Sequence, residues 1–347
     1  MDVTYDGSFW NNTADETPCR PVAVNKQFDW NGYTWFIPAI YVCRQGMVMD
    51  LLKRVPLSEM EVFVKKWKDR EGDSGHWAAA EYENPLSGNF GLEIRAEGAE
   101  IRHTRSCGTC WHPFGDDGRS TSREAQVLMK AYNCSEDYSW NFNRAFFQWD
   151  FEAIPENVRL ELKLRPEKYM LPCPEHFTVE TDSAEKTVEF THPVTGSRHV
   201  LVVRESAREM LTEFEFDDGG RFTYPRCCLR LRYRFENEEE YEQFFPRDCS
   251  DGDSPRRNGI AGEGNTLIGT SVAAIAILVG EDSEDRSFED GSSGDGSSRD
   301  SRGRDSGWRE AYSALHFEPV DQAEWRIDTC VIKGEACEIA LDIDMSE

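Results

Sequence analysis

Apolar and polar positions change period several times along the chain, and each change marks an element. From Gln27 the run QFDWNGYTWF sets Asn31 and Gly32 between aromatic flanks. Both central residues of a type I′ turn need positive φ, which Asn and Gly tolerate, so this run predicts a β-hairpin. Apolar stretches over 37–43 and 47–55, parted by Gln45 and Gly46, extend it into an antiparallel meander. The period then lengthens. Leu57, Met60, Val64 and Trp67 recur at helical spacing, and Ser58 with Glu61 forms a capping-box pattern, which predicts a helix of about three turns. Residues 70–89, broken by Gly72, Gly75, Pro85 and Gly88, predict a loop, and 90–103 a second hairpin turning near Gly98.

Thr121 and Glu124 repeat the capping box, with Ala125, Leu128, Met129 and Tyr132 on one helical face. Trp140–Phe151 is crowded with aromatics, and Val158, Leu160, Leu162 and Leu164 alternate with Arg159, Glu161, Lys163 and Arg165. Two strands follow, the second with one wet face. Pro166, Pro172 and Pro174 then punctuate a linker over 166–174. Beyond it nearly every patterned stretch is a strand, from 177–180 through 199–203, 229–235 and 272–279 to 325–332 and 338–341; only Glu205–Leu211 suits a short helix. The fold class expected is α+β: an irregular arm (1–26), an N-terminal antiparallel sheet with about two helices (27–165), and a mostly β, sandwich or open-barrel-like domain (175–347). Residues 281–307 are Ser, Gly, Asp and Arg with a single aromatic. They cannot bury enough surface to offset the entropy of ordering, and predict a disordered insertion in that domain.

Composition narrows the partners. The 347 residues carry a formal net charge of −26, so a phosphate backbone or an anionic membrane surface would be repelled. No nucleic acid and no membrane are expected as partners; a cation, a sugar or a basic protein would not be repelled, and a protein partner or a second copy is the expectation. The longest apolar run, Thr266–Gly280, is shorter than the roughly 20 residues a membrane span needs. The eleven Cys lack the dense framework of small secreted domains, and MDVTYDGSFW lacks a basic and then apolar leader pattern. Reduced thiols and a cytoplasmic location are the expectation.

Chemistry concentrates in His103–Gly118, HTRSCGTCWHPFGDDG. A C-x-x-C turn can aim both sulfurs at one ion, so Cys107 and Cys110, completed by His112 and Cys134 or by His103, are candidate ligands of a structural zinc, the one cofactor the sequence suggests. Pro113 removes the helix start that a redox pair requires, and Trp111 separates Cys110 from the His that haem attachment would need next to it. Arg230, Arg232 and Arg234 line one face of a strand, as an anion stripe or as partners of acidic neighbours. Cys227 and Cys228 should point to opposite faces of that strand. His192 and His199 flank the turn HPVTGSRH, at its rim or facing each other. Asp116, Asp117, Asp217, Asp218 and Glu318 are all conceivable acids or bases, and no catalytic residue is assignable. G-x-x-x-x-G-K-[ST], G-x-G-x-x-G, H-E-x-x-H and G-x-S-x-G are absent. The leading expectation is a non-enzymatic interaction or assembly protein. A zinc-stabilised binding module on Cys107 and Cys110, and a hydrolase of carbohydrate type with unidentified carboxylates, are the alternatives.

Overall fold

A computed structural model describes residues 2–9, 17–68, 74–96, 100–114, 122–150, 156–211, 221–257 and 307–344. The stretch 272–279, nearly all of 281–307, the turn near Gly98, and Thr121, Asp116, Asp117, Asp217 and Asp218 lie outside them. In chain order the elements are β1 (Arg20–Trp30), β2 (Tyr33–Cys43), β3 (Gly46–Pro56), α1 (Leu57–Trp67), α2 (Ser74–Glu83), β4 (Phe90–Ala96), β5 (Ile101–Trp111), α3 (Arg123–Ala131), β6 (Tyr138–Trp149) and β7 (Asn157–Pro166). There follow β8 (Lys168–Glu180), β9 (Lys186–Thr191), β10 (Arg198–Met210), β11 (Phe222–Thr223), β12 (Cys227–Phe235), a 3₁₀ turn (Glu238–Glu242), β13 (Phe244–Asp248), β14 (Arg256–Arg257), β15 (Arg309–Tyr312), β16 (Gln322–Ile332) and β17 (Cys337–Asp344). The protein is mostly β, with antiparallel sheets and, among the described residues, no closed barrel.

The chain divides into two compact units, Met1–Tyr169 with Val331–Glu347, and Met170–Cys330. In the first, a five-stranded sheet (β1-β2-β3-β6-β5) and a three-stranded sheet (β17-β7-β4) contribute to one apolar cluster. Trp35, Ile37, Met49, Leu51 and Phe147 of the larger sheet meet Leu92, Leu160, Leu162 and Leu341 of the smaller. The opposite face of the larger sheet is covered too, by Val3 and Cys19 and by Leu128 and Met129 of α3. In the second unit, β15-β12-β10-β9 and β13-β16-β8 likewise share one cluster, built on Phe190, Leu201, Leu231, Phe244 and Trp325.

Several elements depart from the sequence expectation. The stretch predicted as a loop contains α2, where Ala78, Ala79 and Ala80 supply the strongest helix formers. Helix α1 starts at Leu57 with Pro56, the last residue of β3, at its N-cap, so Ser58 lies inside the helix and caps nothing. In α3 the cap is Ser122, whose side chain accepts from Ala125 N–H. The segments expected to form a hairpin over 90–103 belong to different sheets, β4 pairing with β7 and β5 with β6. Residues 205–210 are strand, paired with β12. The proline stretch is part of β8, the outer strand of its sheet, where a missing N–H is tolerated. The last strand, placed by its position among the second group, pairs with β7 of the first unit.

The first hairpin shows how one irregular residue sets a contact far away. Asn31 and Gly32 take φ of 50° and 80°, and Trp30 pairs with Tyr33, as their sequence predicts. That register alone would set Cys19 opposite Arg44. A bulge between Ala23 and Lys26, with Asn25 at φ 52°, shifts the ladder by one. It falls opposite Pro38, which has no N–H to offer. Cys19 then faces Cys43, Cα to Cα 4.6 Å, and the two are bonded. The reading of all the cysteines as reduced thiols is corrected by this pair. Replacing both by Ser is expected to lower stability by about 2–3 kcal/mol, read as a lower urea midpoint, because the bond restricts the unfolded chain.

Candidate functional site

Strand β3 is central in its sheet and buried along nearly its whole length, yet it carries two charged residues that are almost fully buried, Asp50 and Lys53. Three positions apart on a strand, they point to opposite faces. Asp50 faces Arg144 directly across the β3–β6 ladder, and two 2.7 Å hydrogen bonds from Nε and Nη2 of Arg144 close a bidentate pair. Tyr132 OH donates to Asp50, and the Tyr41 and Tyr132 hydroxyls are 2.7 Å apart. Every polar atom of that carboxylate is engaged inside the fold, which makes the network structural.

Lys53 has no such partner. Its Nζ donates to the Ser87 carbonyl at 3.1 Å and lies 4.2 Å from the centre of the Tyr33 ring and 5.8 Å from that of Trp35. It lines a cavity of about 310 Å³ with Trp30, Trp35, Phe90, Tyr169, Glu167 and Lys333. The aromatic wall is fixed by mutual packing: Phe90 stands edge-on to both Trp30 and Trp35, centroids 5.6 and 5.4 Å apart. Asn31, Asn84, Asn89 and Ser87 add amides and a hydroxyl.

The second lysine arrives from the far end of the chain. Trp30 Nε1 donates to the Glu335 carbonyl at 2.7 Å, and Asn31 Nδ2 to the Lys333 carbonyl at 3.3 Å. Gly334 between them has φ +103°, and a Cβ there would lie 2.1 Å from Asn31 Oδ1. Only glycine lets the 333–335 segment sit this close to the hairpin turn. Lys333 Nζ donates to the Tyr82 carbonyl at 2.7 Å and lies 5.2 Å from the centre of that ring. Among the described residues neither lysine has a carboxylate within ion-pair distance, in a chain where Asp and Glu outnumber Lys and Arg 65 to 39.

The electrostatics follow from burial. Desolvation and then the charge of Lys333 push the Lys53 ammonium down to about 7, against an opposing pull from Glu59. Burial also lowers Lys333, although Glu83, Glu81 and Glu59 oppose it. Burial and then the hydrogen bond to Glu59 push the Tyr33 hydroxyl up to about 12, so it stays protonated as a donor. Burial raises Glu167. The pocket is thus a ring-lined recess in which positive charge is held at a cost.

The residues singled out in the sequence lie elsewhere. Cys107 and Cys110 sit on strand β5, and three positions apart their side chains leave opposite faces. Cys107 packs with Val48 and Phe146, and Cys110 with Val55 and Met60. Burial raises both thiols. Cys134 packs beside Leu128 and Phe142, His112 stacks near Phe114, and His103 Nε2 is 2.8 Å from Ser106 Oγ. The strand in place of the expected turn is why these candidates do not converge. Among the described residues no three His, Cys, Asp or Glu side chains form a group that could hold a metal ion. The arginine stripe is occupied by acids: Arg230 meets Glu310 and Glu209, and Arg232 meets Glu205. Cys227 and Cys228 are both buried. His192 and His199 come together, ring centroids 6.4 Å apart.

Lys53 leaves a local signal in the sequence. A buried strand of apolar residues interrupted by Asp50 and Lys53, one for each face, is a local inconsistency of the kind found at functional or strained positions. Fold and pocket together define the class: a mostly antiparallel β protein with a cationic, aromatic-lined recess in its first unit. No known protein family, curated protein or solved structure matches the chain.

Proposed function

We propose that the first unit of this protein, an α+β domain of sheet and covering helices, is a non-enzymatic binding module that receives a small carboxylate carrying a ring. The observation that carries the reading is the convergence of Lys53 and Lys333, neither paired with a carboxylate, on one aromatic recess. A cavity of about 310 Å³ is at the small end of ligand sites and suits a single-ring molecule. The rings of Trp30, Trp35 and Phe90 supply apolar walls, the ammonium groups supply the counter-charge, and the amides fix orientation.

The test is a titration followed by tryptophan fluorescence, since Trp30 and Trp35 line the recess. A panel of benzoate, cyclohexanecarboxylate and glucuronate is compared with the matching amides. At least one carboxylate should saturate the signal at about tenfold or more lower concentration than its amide. Binding favours charged Lys53, whose ordinary value in the free protein is depressed to about 7. Affinity should therefore be strongest below pH 7 and fall by up to about tenfold per unit above it, until the raised value in the complex is passed. Equal binding of acids and amides, or unchanged binding by Lys53→Met, would rule the reading out.

A further inference from the structure

Independently of that pocket, the second unit holds three side chains in a nucleophile, base and carboxylate relay. Ser197 Oγ is 2.8 Å from Nε2 of His199, and the other ring nitrogen, Nδ1, is 3.0 Å from Oε1 of Glu240. Each imidazole nitrogen thus has one partner, of the type and on the side that acyl transfer requires. Glu240 is buried and its Oε1 also accepts from Asn237 Nδ2 at 2.9 Å, while its Oε2 is buried with no hydrogen-bond partner among the described residues. The His199 ring is held in place by Phe190, stacked at 5.6 Å, and by Phe244 at 4.6 Å.

The turn bearing the serine is itself well organised. His192 N–H donates to the Ser197 carbonyl at 2.8 Å, and Gly196 N–H to the His192 carbonyl at 2.9 Å, with Gly196 at φ 72°. Ser197 is exposed and His199 half-buried, with Glu240 buried, so the hydroxyl is reachable from solvent. Its hydroxyl also shares a 2.7 Å hydrogen bond with Thr195 Oγ1, and its own N–H makes only a 3.3 Å contact with the same oxygen, which leaves that N–H weakly engaged and able to donate to an oxyanion.

We propose that Ser197, His199 and Glu240 form a serine acyl-transfer site that hydrolyses small, unhindered esters. Ser197 Oγ bonds to the ester carbonyl carbon as its proton passes to His199 Nε2. The bond from carbon to the alcohol oxygen breaks, and that oxygen takes the proton from Nε2. Water then adds to the acyl carbon, giving a proton to Nε2, and the acyl to Ser197 bond breaks with that proton returning to Oγ. The balance is ester plus water to acid plus alcohol. Ser197 and His199 are the catalytic residues; Glu240 is a positioning residue that holds the ring and its tautomer.

The experiment labels the full chain with a fluorophosphonate and locates the adduct by peptide mass spectrometry, with p-nitrophenyl acetate turnover measured alongside. Ser197 should be labelled, and Ser197→Ala, a change at an exposed position, should abolish both signals. His199→Gln should slow labelling by about a hundredfold or more. Glu240→Gln should slow it by about tenfold or more and Glu240→Asp should recover part of the loss at equal thermal stability, which a purely structural carboxylate would not do. Labelling that is absent at Ser197, equally fast in folded His199→Gln, or equally fast in the urea-unfolded chain would overturn the proposal. Should the His199 or Glu240 variants fail to fold, the comparison of the native chain with Ser197→Ala and with the unfolded chain decides alone.

Discussion

Replacing Lys53 by Met is expected to stabilise the protein at pH 6 and to lose that advantage as pH approaches 10. The unfolded chain holds this lysine near its ordinary 10.5, the folded chain near 7. Between those values the unfolded state binds the extra proton, so wild-type stability rises with pH by up to about 1.4 kcal/mol per unit. Below pH 7 both states are protonated and the buried charge costs about 5 kcal/mol. Methionine of similar length removes that cost and leaves the Ser87 carbonyl without its donor, which returns about 1–2 kcal/mol. The net gain at pH 6 is then about 3–4 kcal/mol, and at pH 10 the variant should be equal to wild type or slightly weaker. Urea unfolding at pH 6, 8 and 10 measures it. A gain that does not change with pH would show that the amine is not desolvated in the folded chain.

The other charge on β3 should behave in the opposite way. Arg144→Met leaves the Asp50 carboxylate buried with the Tyr132 hydroxyl as its remaining partner, and should cost about 3–5 kcal/mol. The double variant Asp50→Leu with Arg144→Met removes both charges from the same cross-strand pair and should recover most of that loss, because two desolvation costs disappear together. Thermal and urea unfolding of the two single variants and the double variant give the coupling; additive losses would mean that the bidentate pair is not what holds Arg144 in place. Burial would by itself lower the Arg144 guanidinium, and the Asp50 hydrogen bond and charge overcome this and raise it, so the pair persists across the pH range in which the Lys53 effect is read.

Much of the strand order was legible because period-two alternation is local. Val158 to Leu164 is buried at every second residue, and the Asn31 and Gly32 turn follows from their tolerance of positive φ. Local signals also misled. The C-x-x-C of Cys107 and Cys110 looked like a turn, but pairing with β6 holds it extended and turns the two sulfurs apart. The Ser58 capping box was outcompeted by a proline that ends one strand and begins a helix within one residue.

By itself, then, the sequence determined that the protein is made mostly of strands, that Asn31 and Gly32 turn the first hairpin, and that a histidine pair brackets a tight turn. These depend on neighbours within a few residues, where side-chain direction and φ preference decide. Only the tertiary structure decided what each charge meets. Trp30 and Glu335, which bring Lys333 to Lys53, are 305 positions apart; Asp50 and Arg144 are separated by 94, and His199 and Glu240 by 41. Those meetings are set by sheet register and by which strands pair, and a single bulge, like the one that brings Cys19 to Cys43, shifts every contact beyond it by a residue.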